Sequence, residues 1–189
     1  MPEKPSILSH DIVAQSRLFG IERLELRFSN GEERVYERLR TPRIPAVMVV
    51  ALKDEHTVIL IREYSCGTDD YQLTLPKGAF DHHGEHVFEA ANRELMEEAG
   101  YGANKFTELK RLSLSPGYMG HLIHVVLAED LYEKRLPGDE PEPIEVFEHP
   151  LEDIDSLLAA EDFTEARALA ALYMVRDIMR ARKAERGGQ

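Results

Sequence analysis

The chain has 189 residues, of which 43% are hydrophobic and 31% charged, and its formal net charge is −12. This length supports one well-buried core and is short for two independent domains, and the composition is that of an ordinary globular protein. The negative charge argues against a nucleic-acid-binding surface, because phosphate backbones are held by Lys and Arg. For the same reason, an anionic small substrate would need a bound metal ion or a few locally placed arginines.

Features of the chain that report on its compartment point to the cytoplasm. Cys66 is the only cysteine, so no disulfide can form within the chain, as is typical of a reducing environment. The N-terminal stretch MPEKPSILSHDIV lacks the apolar segment of a signal peptide, and the longest apolar run, IPAVMVVAL, is too short to cross a bilayer. We therefore expect a cytoplasmic protein with no membrane partner.

The first third of the chain is typical of strands. The stretch IERLELRFSNGEERVYERLR alternates weakly around a turn at residues 29–31, which predicts a β-hairpin. The Pro-containing residues 41–45 break the pattern and predict a hinge. The expected organisation is therefore a small N-terminal antiparallel β subdomain over residues 1–43 and a main domain over residues 44–189.

The apolar runs AVMVVAL and TVILIRE, joined by a short polar turn, predict adjacent buried strands. Residues 71–75 predict another short strand, ended by residues 76–78. HLIHVVLAE and PIEVFEHP predict two more strands, separated by the Pro- and acid-rich loop LPGDEPEPI, and TEARALAALYMVRDIMRARK predicts a terminal helix. Because strict βαβ alternation is absent, the pattern favours a mixed α/β sandwich over a doubly wound parallel sheet.

A helix is predicted over residues 85 to about 99. An apolar stripe recurs at helical spacing through Phe88, Ala91, Leu95 and Ala99. Asp81 or Gly84 is the expected N-cap, and Gly100 is placed as the C-terminal stop.

This helix carries a cluster of three carboxylates. On an α-helix, Glu94 and Glu98 lie on one row, flanked by Glu97 and bordering the buried stripe. Three adjacent carboxylates repel one another, and a divalent cation resolves that repulsion. Oxygen-only ligands favour Mg²⁺ first and Mn²⁺ second. A solvated acidic helix face remains the alternative for the cluster taken alone.

Arg93 occupies a different row of the same helix, in four-residue steps with Glu85, Glu89 and Glu97. This spacing predicts that its guanidinium holds Glu97, and also Glu85, in a fixed rotamer.

Together with Gly78 and Glu85, the stretch RELMEEAGY resembles the Nudix box, whose pattern is Gly, five residues, Glu, seven residues and Arg-Glu-apolar-any-Glu-Glu-any-Gly-apolar. Every specified position from Glu85 onward matches. Six residues, AFDHHG, follow Gly78 where the family has five. The resemblance implies that a backbone carbonyl of Lys77 or Gly78 joins the metal shell. The imidazoles of His82 and His83 suit softer ions, which predicts that both face solvent.

The family resemblance implies an α/β/α sandwich and Mg²⁺-dependent hydrolysis of a nucleoside diphosphate linked to another group. In the ADP-ribose branch, the general base is a glutamate on a loop after the box. The loop LPGDEPEPIEV holds the corresponding position, with Glu142 as first candidate, Glu140 as second and Asp139 behind them. For each, a solvated surface position is the alternative.

The stretch around Pro116, and further similarity from about residue 6 to residue 176, resemble bacterial Nudix enzymes that hydrolyse ADP compounds. Those enzymes act on ADP-ribose, diadenosine polyphosphates and NADH and leave AMP. In the ADP-ribose branch the N-terminal strands exchange across a homodimer and help to enclose adenosine. The resemblance therefore implicates Arg38 and Arg62 in binding phosphate or ribose, and Phe28 or Tyr36 in stacking on adenine. Ion pairing on strand edges and packing in a core are the alternatives. The resemblance also implicates Pro116 in binding the substrate, with a simple turn between two strands as the alternative.

Three functions follow from these residues. The first is hydrolysis of ADP-sugars or other ADP compounds, and the second is the same chemistry on another nucleoside diphosphate or triphosphate. The third is a non-catalytic Nudix domain that binds a nucleotide. The presence of all three helix carboxylates and of Arg93 counts against the third.

Overall fold

A computed structural model of the chain describes residues 3–41, 44–82 and 84–187. Pro42 and Arg43, within the predicted hinge, and His83, in the loop before the predicted helix, lie outside the described residues. Contacts divide the chain into two compact units, Met1–Arg43 with Ser113–His121, and Ile44–Leu112 with Leu122–Gln189.

The first unit contains a three-stranded sheet of β1 (Ser6–Gln15), β2 (Gly20–Arg27) and β3 (Glu33–Leu39), in that order. The predicted hairpin is confirmed, since β2 and β3 pair antiparallel across a turn in which Gly31 has a positive φ of 86°. β1 was not predicted. Its sequence, SILSHDIVAQ, does not alternate cleanly because the strand is exposed along almost its whole length and pairs with β2 through two register shifts.

The segment 113–121 also belongs to the first unit. The N–H of Tyr118 donates to the carbonyl of Ser115 at 2.9 Å, which closes the turn that holds Pro116. The N–H of Leu39 donates to the carbonyl of Tyr118 at 2.7 Å and fastens the turn to β3. A stretch far along the chain thus completes the N-terminal unit, which local sequence pattern does not reveal.

The second unit contains a seven-stranded mixed sheet. Its strands are β4 (Ala46–Leu52), β5 (Thr57–Ser65), β6 (Asp70–Thr74), β7 (Lys77–Ala79), β8 (Tyr101–Ser113), β9 (Leu122–Glu133) and β10 (Glu145–Pro150). The order is β10-β5-β4-β9-β8, with β6 on β5 and β7 on β4, and β4 and β9 are parallel. The strands predicted at β4, β5, β6, β9 and β10 are confirmed, as is the loop between the last two. β8 was not predicted, and residues 77–79 form a strand instead of only ending β6.

β4 explains how this unit is layered. Met48 and Val50 pack into one apolar cluster with the helices α2 (Ile154–Ala159) and α3 (Ala166–Gly187). Val47 and Val49 pack into a second cluster with the helix that carries the carboxylates. A strand covered on both faces needs a continuous apolar run, which is why AVMVVAL shows no alternation. The predicted α/β/α sandwich with a mixed sheet is thereby confirmed.

The carboxylate helix consists of α1 (Val87–Glu94) followed by a π-helical segment, Leu95–Ala99. Its predicted stop is confirmed, because Gly100 adopts a left-handed conformation with φ 76°. Its predicted N-cap at Asp81 or Gly84 is wrong. His86 caps the helix, accepting from the N–H of Phe88, while Glu89 reaches back to the His86 N–H. The His-x-x-Glu sequence thus forms the reciprocal capping hydrogen bonds that are usually formed when Ser, Thr or Asp is the N-cap residue.

The predicted terminal helix is confirmed as α3, and α2 was not predicted because it is only six residues long. Among the described residues, no helix is long and apolar enough to cross a membrane.

Candidate active site

A cavity of about 450 Å³, which we call the carboxylate cavity, opens where three segments of the second unit meet. β7 and the residues after it form one wall, α1 and the π-helical segment form another, and the start of the loop before β10 forms the third. The lining residues are Lys77, Gly78, Ala79, Phe80, Asp81, Arg93, Glu94, Glu97, Glu98, Pro137, Gly138, Asp139 and Glu140. The structure thus brings all three predicted metal-binding carboxylates to one cavity, together with Lys77, Gly78 and Arg93.

The helix changes its winding within the carboxylate cluster. Glu94 is the last residue of α1, whereas Glu97 and Glu98 lie in the π-helical segment, where the N–H of Gly100 donates to the carbonyl of Leu95. A π turn is wider than an α turn and occurs frequently at functional sites. The simple α-helical row predicted for Glu94 and Glu98 therefore does not describe their geometry. Both side chains point into the protein, and the two residues are only 7% and 3% exposed.

Burial dominates the electrostatics of these acids. It raises the pKa of Glu94 to about 7, against the opposing effect of Arg93. Burial raises the pKa of Glu98 to about 9, although the N–H of Lys77 donates to its Oε2 at 2.8 Å. The pKa of Glu97 is also raised, first by burial, with the Arg93 guanidinium opposing. Because these carboxyl groups are desolvated, their charged forms are destabilised in the folded protein unless a further cation binds beside them.

This arrangement predicts how the metal-free protein responds to pH. Glu98 binds its proton more tightly in the folded chain than in the unfolded chain, where its pKa is near the ordinary 4.5. The free energy of unfolding should therefore fall as pH rises from 4.5 toward 9, by at most about 1.4 kcal/mol per pH unit for this one proton. Glu94 adds to the fall between 4.5 and 7.

Urea unfolding in EDTA at several pH values measures this dependence, and Glu98→Gln should flatten it. A stability that instead rises across this window in the wild type, or a slope that Glu98→Gln leaves unchanged, would contradict the assignment.

Arg93 lies at the centre of an ion-pair network. Its guanidinium pairs with Asp81 at 3.2 Å, Glu85 at 3.3 Å, Glu94 at 2.8 Å and Glu97 at 3.0 Å. The predicted contacts with Glu97 and Glu85 are confirmed, and the contact with Glu94 was not foreseen. Arg93 also donates to the carbonyl of Ala79 at 2.8 Å, which ties α1 to the end of β7. A planar guanidinium with five donors suits this many acceptors, as an ammonium would not.

Removing this guanidinium should destabilise the protein. Arg93→Ala leaves the largely buried carboxylates of Glu85 and Glu94 without their cation, and we expect a loss of about 3–5 kcal/mol in the free energy of unfolding. Urea denaturation in EDTA at neutral pH measures the loss. Arg180→Ala is the matched control, because Arg180 pairs with Glu152 on the surface, and it should change little. Equal, small effects of both variants would show that Arg93 has no such role.

Gly78 shapes the wall opposite the helix. A Cβ at this position would collide with the Glu94 carboxylate, so any residue other than glycine would force Glu94 out of its present position. The backbone of Lys77 and Gly78 therefore stands next to the buried acids. Carboxylate oxygens beside backbone carbonyls are a donor set for a hard cation. Among the described residues, however, no three acidic, His or Cys side chains converge as a preformed ligand set. Arg93 donates to both Glu94 and Glu97.

A second cavity, of about 470 Å³, lies in the same unit and is called the aromatic cavity. It is lined by Arg62, Glu63, Tyr64 and Tyr71 from β5 and β6, and by residues Glu140, Pro141, Glu142, Pro143, Ile144 and Glu145 of the loop and β10. Glu140 lines both cavities. Of the predicted base candidates, Glu140 and Asp139 therefore reach the carboxylate cavity. Glu142 lines only the aromatic cavity, where it accepts a hydrogen bond from the Tyr71 hydroxyl.

The predicted substrate-binding residues fall in both units. Arg62 lines the aromatic cavity and pairs with Asp162 at 2.8 Å and Glu145 at 3.2 Å. Arg38 pairs with the buried Glu22 at 2.9 Å. The rings of Phe28 and Tyr36 contact each other with centroids 6.3 Å apart.

Arg38, Phe28, Tyr36 and Pro116 belong to the first unit, whereas every residue that lines the two cavities belongs to the second. His82 is exposed, as predicted, and His83 lies outside the described residues.

Sequence reasoning singled out Arg62 of β5 but missed the tyrosines of β5 and β6 and the contact of Lys77 with β5. Tyr64 and Tyr71 line the aromatic cavity, and Lys77 forms an ion pair with Glu63. Two tyrosines seven residues apart on either side of a turn could have indicated a paired hairpin position, and β5 and β6 do place Tyr64 opposite Tyr71.

Residues 42–172 match the family model described as the NUDIX domain, and residues 5–38 match that of the NudE-type Nudix hydrolase N-terminal domain. The chain belongs to the Nudix hydrolase family, which confirms the family predicted from the carboxylate helix. It is 51% identical over 175 residues to the ADP compounds hydrolase NudE of Escherichia coli (strain K12), with 93% of each chain covered.

It is also 30% identical over 185 residues to an ADP-ribose pyrophosphatase of Bacillus subtilis (strain 168), with 93% of this chain and 98% of that one covered. A solved structure, the crystal structure of ADP compounds hydrolase, matches with a TM-score of 0.89 at 49% identity, covering 96% of this chain and 97% of the other.

Proposed function

We propose that this Nudix hydrolase cleaves the diphosphate of ADP-linked compounds, such as ADP-ribose, ADP-sugars, diadenosine polyphosphates and NADH, to AMP and a phosphorylated remainder. The observation that carries the proposal is the cavity in which the buried acids Glu94 and Glu98 face the backbone of Lys77 and Gly78. Similarity along 93% of the chain to a protein named as an ADP compounds hydrolase supports the substrate class.

The cofactor of the proposed reaction is Mg²⁺, with Mn²⁺ as a substitute. Glu94 and Glu98 would hold it, with Glu97 and a carbonyl of Lys77 or Gly78 completing the set. The fit rests on the two buried carboxylates of Glu94 and Glu98 in one cavity with the backbone of Lys77 and Gly78, which is an oxygen donor set suited to a hard cation. When bound, divalent ions neutralise the diphosphate oxygens and favour ionisation of a water molecule.

Glu140 is the general base that the geometry favours. Of the loop glutamates it alone lines both the carboxylate cavity and the aromatic cavity, so its carboxylate borders the space where a bound diphosphate would sit. It would accept a proton from water that attacks phosphorus, while the bridging P–O bond breaks and AMP departs. Asp139 is the reserve candidate, and Glu142 is engaged by Tyr71.

Arg93 acts as a positioning residue in this scheme. Its contacts with Glu94 and Glu97 fix two carboxylates by charge-assisted hydrogen bonds of 2.8 and 3.0 Å.

The proposal places the N-terminal residues 1–43 in a homodimer, with Arg38 and Pro116 near the substrate and Phe28 or Tyr36 against the adenine. Supporting this, the three-stranded sheet leaves large apolar side chains exposed on β1 and after it, among them Ile7, Ile12, Leu18 and Phe19. The exposed, unpaired thiol of Cys66 is in keeping with the cytoplasm.

A substrate panel tests the function. The wild-type chain is assayed with ADP-ribose, NADH, diadenosine diphosphate, GDP-mannose and nucleoside triphosphates, with Mg²⁺, with Mn²⁺ and with EDTA, and products are separated by chromatography. We expect catalytic efficiency to be highest for an ADP compound, with release of AMP that EDTA abolishes. A preference for GDP-mannose, the substrate in the name of several relatives near 25% identity, or for triphosphates with pyrophosphate release, would overturn the substrate class.

A further inference from the structure

Two exposed tyrosines stand side by side in the aromatic cavity. Tyr64 is 50% exposed and Tyr71 45%, and their ring centroids are 5.9 Å apart at an interplanar angle of 69°. Edge-to-face packing against each other leaves ring surface open to the cavity. Exposed aromatic faces are the surfaces on which nucleobases stack, because every base has a π face.

The hydroxyl groups of both tyrosines are already engaged. The Tyr64 hydroxyl donates to Asp69 Oδ1 at 2.8 Å, and the Tyr71 hydroxyl donates to Glu142. The phenol ends are therefore fixed, and the ring faces remain for a ligand.

The charge of the aromatic cavity disfavours a phosphate and suits a neutral polar group. Its lining includes four glutamates, at positions 63, 140, 142 and 145, and one arginine, Arg62. Arg62 is already paired with Asp162 and Glu145. Carboxylates accept hydrogen bonds from ribose hydroxyls and from the amino or amide groups of bases. An uncharged nucleoside therefore fits this lining better than a phosphate does.

The aromatic cavity adjoins the carboxylate cavity. Glu140 lines both, and Glu63 of the aromatic cavity forms an ion pair with Lys77 of the carboxylate cavity. A group attached to a diphosphate in the carboxylate cavity would thus extend into the aromatic cavity. A volume of about 470 Å³ is sufficient for a group of this size.

We infer that the aromatic cavity binds a nucleoside of the substrate, with the ring of its base stacked on Tyr64 and Tyr71. This inference rests on the proposed function, since it needs a diphosphate in the carboxylate cavity. The ring comes from one of two sources. It is the base of the other half of a two-base substrate, or it is the adenine that all ADP compounds share, and the second result would overturn the proposed stacking of adenine on Phe28 or Tyr36.

Steady-state kinetics of single variants tests this. KM and kcat are measured for ADP-ribose, which has one base, and for NADH and diadenosine diphosphate, which have two. Tyr64→Ala and Tyr71→Ala remove the rings. Tyr64→Phe and Tyr71→Phe keep the rings and lose only the hydrogen bonds to Asp69 and Glu142, so they are the matched controls. Thermal unfolding verifies that each variant is folded.

Removing a ring should raise KM by about five- to a hundredfold, the range that base–aromatic stacking supports, while the Phe variants stay within about twofold. A rise for all three substrates identifies the bound ring as adenine, and a rise confined to NADH and diadenosine diphosphate identifies it as the second base. Unchanged KM for every substrate, a loss of kcat without a change in KM, or Phe variants as impaired as the Ala variants would overturn the inference.

The failure of this inference and that of the proposed function are distinguishable. A wild-type protein that hydrolyses none of the three compounds refutes the proposed function. In that case, calorimetric titration of the wild type and the Ala variants with NADH and ADP-ribose still tests the cavity, and equal affinities would refute it.

Discussion

Glu98→Gln is expected to lower kcat for the best ADP substrate by about a thousandfold or more, which corresponds to about 4 kcal/mol of transition-state stabilisation. Glu98 is the most deeply buried of the three carboxylates, and its Oε2 accepts from the Lys77 N–H at 2.8 Å. Glutamine has nearly the same shape but cannot supply an anionic oxygen. Steady-state assays with Mg²⁺ measure the loss.

The same substitution should not unfold the protein. Because burial already raises the pKa of Glu98 to about 9, a neutral side chain suits the metal-free site, and the thermal midpoint in EDTA should be unchanged or higher. Glu152→Gln is the control for activity, since Glu152 forms only a surface pair with Arg180. A Glu98→Gln protein that is folded and fully active would show that Glu98 does not hold the metal.

Glu140→Gln should have the second-largest effect, a fall in kcat of about a hundred- to ten-thousandfold, which is what a general base contributes. KM should change little, because the amide keeps the shape of the side chain. Glu142→Gln is the matched control, with the same change of charge on the same loop, and should stay within about tenfold of the wild type.

The comparison of these two variants decides between the loop glutamates. The sequence favours Glu142 as the general base, whereas the structure shows that Glu140, and not Glu142, lines the carboxylate cavity. A larger loss of kcat for Glu142→Gln than for Glu140→Gln would reverse the assignment. It would also imply that the contact between Tyr71 and Glu142 breaks during turnover.

The helices and strands that could be predicted from the sequence are those whose side chains follow a regular pattern of burial along the element. β4 and β5 are buried on both faces, so their apolar runs are unmistakable, and the hairpin of β2 and β3 is marked by its Asn-Gly turn. β1 and β8 could not be predicted, because most of their residues are exposed and their ladders depend on strands elsewhere in the chain.

The sequence predicts which residues form the carboxylate site, but it does not predict how their side chains are arranged. The spacing from Arg93 to Glu97 places them one α-helical turn apart, and the structure joins them at 3.0 Å. The π-helical winding from Leu95 onward was not predictable, since it depends on how the segment packs against the sheet. Nor does the sequence reveal that a distant loop delivers Glu140, and not Glu142, to the cavity.

Binding of Mn²⁺ by the isolated protein is the measurement that tests most directly whether Glu94 and Glu98 form a metal site. Electron paramagnetic resonance reports free Mn²⁺ during a titration of the wild type, of the double variant Glu94→Gln/Glu98→Gln, and of Glu152→Gln. We predict that the wild type and Glu152→Gln bind Mn²⁺ alike and that the double variant loses at least about tenfold in affinity. Equal affinity and stoichiometry for the double variant and the wild type would contradict the assignment of the metal site to these two carboxylates.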